Sequence, residues 1–339
     1  MNSFSNNNIE KIYITGEKKL TGSVNISGAK NAALPLMALS LIINKDFILY
    51  NVPDLADTRL MSNLLIDLGI KINWKRGNLK FNGNPKKDEA SDDLVRQMRA
   101  SILVLGPLLA SKGSAKVPLP GGCAIGSRPI DLHVMVMEAL GANVSFDSGF
   151  IISSVSNEGL KGGVINFPKV SVGATESAIM TAVLAKGQTK ILNAAREPEV
   201  TDLANCLNKA GADIKGIGTD ILVINGVKEL HEVTHSVVSD RIEAGSFAIA
   251  SSITMGNVEI NNINPKNLTE FINVLKLTGS KIEIFNNSMK VSCSQRPKPF
   301  DMHTNPYPGF PTDLQAQYMA LMAIADGTTL IKETIFENR

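Results

Sequence analysis

The chain has 339 residues, of which 44% are hydrophobic and 19% charged, and its net charge is +2. That composition is of a globular protein with room for two cores, and it excludes a whole-molecule field that would draw the chain to nucleic acid or an anionic membrane. Three cysteines (Cys123, Cys206 and Cys293) are too few and too scattered for a disulfide framework or a zinc cluster, which fits a reducing, cytoplasmic setting.

Residues 1–10 are rich in Asn and Ser and have neither the basic flank nor the apolar run of a signal peptide. The longest uncharged apolar stretches, 32–43 and 101–110, fall short of the roughly 20 residues that a membrane-spanning helix requires. From there a pattern recurs about every 70 residues, which is a large internal repeat. Small-residue apolar helices are expected over 31–41, 99–109, 174–184, 242–253 and 314–325. A Gly or Asn turn and a β-rich strand follow each, as at 189–192, 257–260 and 328–332.

A second, amphipathic helix comes next, as over 200–209, where Leu203, Cys206, Leu207 and Ala210 share one face. It ends in a small-residue turn that suits a left-handed cap: Leu68-Gly69-Ile70, Leu140-Gly141-Ala142, Ala210-Gly211-Ala212 and Thr278-Gly279-Ser280. A strand pair closes the unit. The fifth unit opens at Phe310-Pro311-Thr312-Asp313 and reaches only its first strand, so the chain reads as a fragment of a longer protein.

Four polar clusters interrupt this patterning. Ser27-Gly28-Ala29-Lys30-Asn31 precedes the first helix, where exposed N–H groups and Lys30 can dock an anion; a capped helix start with a solvated lysine is the plainer reading. Pro120 to Pro129 is a glycine-rich loop bracketed by prolines that carries Cys123 with Arg128 close by, a setting that activates a thiol. Cys206 and Cys293 fall in regular apolar patterns and are expected in the core.

Arg99 opens an apolar helix against its macrodipole, which points to an anionic ligand, although a solvent-facing arginine is simpler. Asp131-Leu132-His133 stands at another helix edge, and its histidine equally suits a satisfied helix start. Asp313 stands at or near a helix start, where capping and catalysis are even alternatives, with Arg339 after the next strand.

In combination these motifs resemble the enolpyruvyl transferases, and within them the branch acting on UDP-N-acetylglucosamine. The likeness runs from about Ile12 to Arg339 and includes Lys-Val-Ser-Val-Gly-Ala-Thr (169–175) and Ala-Ala-Arg-Glu-Pro-Glu (194–199) beside the Lys30, Cys123 and Asp313 motifs. The Cys123 loop separates this branch from the shikimate-pathway relative. The resemblance implies an α/β fold of two domains, an inside-out α/β barrel of three repeats each. Residues 30–238 would form the first domain, and 1–29 with 239–339 a second, incomplete one.

The implied reaction moves the enolpyruvyl group of phosphoenolpyruvate to the 3′-hydroxyl of UDP-N-acetylglucosamine and releases phosphate. It is the first committed step of peptidoglycan precursor synthesis, serving cell-wall biogenesis, cell shape and division, and it is the target of fosfomycin. The resemblance assigns Lys30 and Asn31 to phosphoenolpyruvate. It assigns Arg99, Arg128, Pro129, Ile130, Asp131, Leu132, Lys169, Val170, Ser171, Val172, Asp313 and Ile335 to the nucleotide sugar, with Arg128 also reaching phosphoenolpyruvate. Cys123 matches the general acid, Asp313 faces the sugar hydroxyl, and Arg339 lies near phosphoenolpyruvate. No metal and no cofactor are implied. The family's further acid and arginines around phosphoenolpyruvate have no counterpart up to Arg339, so a silent nucleotide-sugar-binding fragment is the alternative, ahead of the shikimate relative.

Overall fold

A computed structural model describes residues 12–119 and 130–339. The ten α-helices among the described residues are α1 (Lys30–Ala38), α2 (Ala56–Asp67), α3 (Asp92–Gln97), α4 (Leu105–Lys112), α5 (Asp131–Ala139), α6 (Val172–Ala182), α7 (Pro198–Lys209), α8 (Arg241–Ile253), α9 (Thr269–Leu277) and α10 (Gln315–Met322). None is long and apolar enough to cross a membrane.

The expected repeat appears as a recurring sheet plan. In each full unit the strand after the inner helix pairs antiparallel with the last strand of a hairpin. It also pairs parallel with a strand from elsewhere in the chain. Val233–Ser236 lies parallel to Phe47–Tyr50, Val164–Asn166 to Gln188–Leu192, and Thr21–Asn25 to Asn257–Asn261. The order is the same each time, for example Thr21–Asn25, Asn257–Asn261, Ser288–Ser292, Lys281–Ile284. In the unit of Ser114–Pro118, Phe150–Ser154 and Asn143–Asp147 the extra strand shrinks to a single bridge between Glu89 and Lys116.

The turns before the hairpins hold the conformation expected of them. Gly69, Gly141, Gly211 and Gly279 all have positive φ, between 85° and 107°, where a side chain would be strained.

Two hydrophobic clusters result. The first runs from Ala29 to Val238 and takes in α1, α4, α6 and α7. The second gathers Ile26 with residues from Ala244 to Met322, around α8, α9 and α10. Inner helices α1 and α6 meet protein on every side: Ala32–Ala38 and Ala174–Ala182 are buried without a break, the latter with Thr175, Glu176, Ser177 and Thr181 among its small and apolar residues. In the second cluster Phe310 meets Tyr318 in a T-shaped contact and Phe271 at a tilt, with ring centroids 5.5 and 5.8 Å apart.

Two expected elements differ. The helix expected over 99–109 begins as a 3₁₀ stretch, Arg99–Val104, and becomes α-helical only from Leu105. Pro107 has no N–H to give the Leu103 carbonyl, and its ring would crowd that carbonyl in a continuous α-helix. The strand expected over 328–332 is limited to Ile331–Lys332, since its partner, Met302–His303, is equally short.

Candidate active site

The chain passes between the two clusters twice, and the passages lie side by side. Ala29 N–H donates to the Val238 carbonyl at 2.7 Å and Asp240 N–H to the Ser27 carbonyl at 2.9 Å, around a Gly28–Ser239 bridge. Gly28 must be glycine here, because a Cβ would come within 1.8 Å of the Asn51 carbonyl oxygen. Asp240 then caps α8, accepting from the N–H groups of Ile242 and Glu243 at 2.8 and 3.0 Å. Its other oxygen lies 3.4 Å from the Lys30 N–H. Glu243 accepts from both the N–H and the hydroxyl of Ser27.

These bonds fix Lys30 as the first residue of α1, at the seam between the clusters. Its Nζ lies 3.0 Å from Asp57 of α2, and both side chains are partly exposed. Asn31 is exposed beside it. The structure thus shows neither a side-chain cap at this helix start nor a freely solvated lysine.

The second group gathers at the first turns of α5 and α6, which pack together. Ile130 and exposed Asp131 open α5, and Leu132 and His133 are buried behind them. His133 packs against Gly173, 3.7 Å from where a Cβ would stand there, and its Nδ1 has no hydrogen-bond partner. Burial pushes this imidazole down to about 4; Asp131 opposes the shift and the positive charge of Arg99 adds to it. Arg99 starts the 3₁₀ stretch that also packs on α6.

Lys169 and Val170 lead into Ser171, whose hydroxyl caps α6 by accepting the Ala174 N–H, and Val172 begins the helix. Two helix starts therefore lie together, with Arg99 facing one and Lys169 just before the other, a combination that attracts anions.

The second cluster supplies the opposite wall. Asp313 lies in a short 3₁₀ turn, Thr312–Leu314, and makes no capping bond. Its carboxylate instead meets Arg339 at 2.8 Å. Arg339 also donates to the Thr312 hydroxyl and lies over the Phe336 ring. Glu333 accepts from Thr312 and from the N–H groups of Ile335 and Phe336, which holds Ile335 partly exposed beside this pair. Of the two readings of Asp313, capping is therefore replaced by an ion pair.

Residues to which the sequence reading gave no role join the walls. Arg241, the first residue of α8, reaches back to Glu199 at the start of α7, with contacts of 3.0 and 3.3 Å between buried groups. Its guanidinium faces Asp313 and lies 5.8 Å from the centre of the Tyr307 ring. Glu197, two residues before, accepts the Tyr307 N–H at 3.4 Å. The local signal was charge at two helix starts, Arg196-Glu197-Pro198-Glu199 within the motif at 194–199, and Asp240-Arg241.

Cys206 and Cys293 are buried as expected, and burial pushes the Cys206 thiol up to about 12. Cys123, Arg128 and Pro129 lie outside the described residues. Among the described residues no three His, Cys, Asp or Glu side chains converge to hold a metal ion.

Residues 14–339 match the family model described as EPSP synthase (3-phosphoshikimate 1-carboxyvinyltransferase). The chain is 49% identical over 332 residues to a UDP-N-acetylglucosamine 1-carboxyvinyltransferase of Desulforapulum autotrophicum, covering 98% of this chain and 79% of the relative. It is 48% identical over 339 residues to the protein of that name from Zymomonas mobilis, covering 98% and 80%. Its fold is similar to that of the enolpyruvyl transferase NikO from Streptomyces tendae, with a TM-score of 0.81 at 20% identity over 96% of this chain and 77% of that one. An EPSP synthase from Acinetobacter baumannii gives a TM-score of 0.68 at 19% identity, covering 93% of this chain and 74% of that one.

Proposed function

This chain belongs to the enolpyruvyl transferase family, and from that premise we propose that it transfers the enolpyruvyl group of phosphoenolpyruvate to the 3′-hydroxyl of UDP-N-acetylglucosamine, releasing phosphate. Identity near one half over 98% of the chain favours the nucleotide sugar over shikimate phosphate as acceptor. The geometric observation that carries the reading is the seam itself. Lys30 of the first cluster and the Asp313–Arg339 pair of the second lie on either side of Asp240 and Arg241.

The chemistry uses these residue types. Phosphoenolpyruvate carries a phosphate and a carboxylate, which Lys30, Arg128 and Arg339 meet with charge-assisted hydrogen bonds, with Asn31 adding a neutral donor. Asp313 accepts the proton of the sugar hydroxyl as its oxygen bonds to C2 of phosphoenolpyruvate. Cys123 delivers a proton to the methylene carbon, which becomes a methyl group. Loss of a proton from that methyl restores the double bond as the C2–phosphate oxygen bond breaks. Arg99, Arg128, Pro129, Ile130, Asp131, Leu132, Lys169, Val170, Ser171, Val172 and Ile335 hold the nucleotide sugar, with the paired starts of α5 and α6 facing its diphosphate.

In this reading the two hydrophobic clusters are two domains, residues 30–238 and residues 1–29 with 239–339, and the substrates bind between them. The setting is cytoplasmic peptidoglycan precursor synthesis, hence cell shape and division, with fosfomycin reacting at Cys123. Phosphate release by the 339-residue chain tests this. It is expected only when both substrates are present and is expected to fall at least about 100-fold in Cys123→Ser, as for loss of a general acid. Saturable binding of the nucleotide sugar without phosphate release would support a silent binding protein instead.

A further inference from the structure

Behind the Arg241–Glu199 contact lies an imbalance of charge that the transfer reaction does not use. Three glutamates from the first cluster converge on this region. Glu176 is in α6, Glu197 immediately precedes α7, and Glu199 is in its first turn. All three are buried, at 3%, 8% and 3% exposure. The Thr175 hydroxyl accepts the Ala195 N–H at 3.0 Å and so ties the helix carrying Glu176 to the segment carrying Glu197.

Among the described residues Arg241 is the cation that faces Glu197 and Glu199, and it donates to Glu199 at 3.0 and 3.3 Å. Asp313 also faces Arg241 but is itself paired with Arg339. Lys30 is engaged with Asp57. Other charged groups near the first turn of α6 are Lys169, exposed just before its cap, and Asp131 and Arg99, which face neutral His133. Glu176 Oε1 and Glu197 Oε2 are buried and have no hydrogen-bond partner.

Among the described residues, Glu176 thus lies buried beside two other acids, with one carboxyl oxygen that no hydrogen-bond donor meets. At such sites a carboxyl takes up a proton rather than stay charged. A bound cation could also restore balance, but these three do not converge into a metal-binding group.

We propose that Glu176 stands protonated at neutral pH and acts as a positioning residue: its neutral form keeps Arg241 seated on Glu199 across the two clusters. Burial, with Glu199 and Glu197 adding to it, raises the Glu176 carboxyl well above the ordinary carboxylate range, and burial raises Glu197 as well. A second anion beside Glu199 would repel the carboxylate that holds the guanidinium, and Glu197 would gain a like-charged neighbour. Raising the pH until Glu176 ionises therefore loosens the one buried ion pair that joins α7 to α8. Glu176 touches neither of the proposed substrates; its effect passes through Arg241.

The sign of the linkage follows from the direction of the shift. The folded state holds a proton that the unfolded chain releases near pH 4.5, so Glu176 makes stability fall as pH rises from there to its folded value. Glu176→Gln copies the neutral acid and cannot ionise. Thermal unfolding of the full chain between pH 5 and 8 is expected to lose stability with rising pH less steeply in Glu176→Gln than in the wild type. Phosphate-release activity in the variant is expected to persist at neutral pH and to extend to higher pH. Glu176→Ala, which leaves a cavity and no hydrogen-bonding group, is not expected to reproduce this.

Infrared spectra of the wild type in deuterated buffer at pH 7 give a direct readout that needs no variant to fold. A protonated-carboxyl carbonyl band is expected, unaffected by Glu197→Gln and lost in Glu176→Gln. Absence of that band, its retention in Glu176→Gln, or an unchanged pH slope in that variant would overturn the proposal. The inference rests on the proposed function only for its activity arm. If neither protein releases phosphate, the spectroscopic and stability arms still decide the state of Glu176.

Discussion

The two hydrophobic clusters are built from the same unit, yet they bury their inner helices differently. In the first, the interiors of α1 and α6 are enclosed on all sides, down to Thr175, Ser177 and Thr181 of α6. In the second, α8 leaves Phe247 more than a third exposed and α10 leaves Met319 half exposed. One four-stranded sheet and one two-stranded pair surround the second cluster, whereas three sheets surround the first. The inner helix is covered to the extent that sheets surround it, and the unit's own sequence does not supply that enclosure. A sheet has one face to offer, so a helix needs several sheets to be covered.

The strongest way to break this picture is to cut the contact that joins the clusters. Arg241→Ala leaves Glu199 buried and unpaired, which is expected to cost about 3–5 kcal/mol in urea denaturation. A cost near zero would mean that the clusters are not coupled through this pair. Within the first cluster, Leu36→Ala in the enclosed face of α1 should cost about 2–5 kcal/mol by the same measurement.

His133 sharpens the comparison through pH. Its folded value near 4 lies below the ordinary 6.5, so the folded state binds the proton less readily and stability falls as pH drops from 6.5 towards 4. Replacing His133 with Gln should remove about 2 kcal/mol of the difference in unfolding free energy between pH 7 and pH 5. The smallest effect is expected at the open face: Met319→Ala should change stability by no more than about 0.5 kcal/mol.

Much of the repeat was legible because its signals are local. Apolar helices such as 242–253, the hairpin strands and the left-handed turns at Gly69, Gly141, Gly211 and Gly279 all depend on neighbours within a few residues. What pairs with what was not legible. Thr21–Asn25 lies beside Asn257–Asn261, and no nearby residue encodes a partner more than 230 positions away. The 3₁₀ start at Arg99 hid behind a helical apolar pattern until the effect of Pro107 was counted.

The site divides in the same way. Lys30, Asp313 and the starts of α5 and α6 stood out as charges interrupting apolar runs. Asp57, Glu197, Glu199 and Arg241 became meaningful only when folding brought α2, α7 and α8 to one seam. Glu176 gave the least warning, being one acid within a run of small residues that the fold then buries completely.

The central claim is that the two walls of this seam act together on two substrates. Mass spectrometry of the nucleotide sugar after incubation with the chain and phosphoenolpyruvate tests it most directly. The account predicts conversion of UDP-N-acetylglucosamine to a species heavier by one enolpyruvyl group, in step with phosphate release. Phosphate appearing while the nucleotide sugar keeps its mass, or no conversion by a chain that binds both substrates, would contradict it.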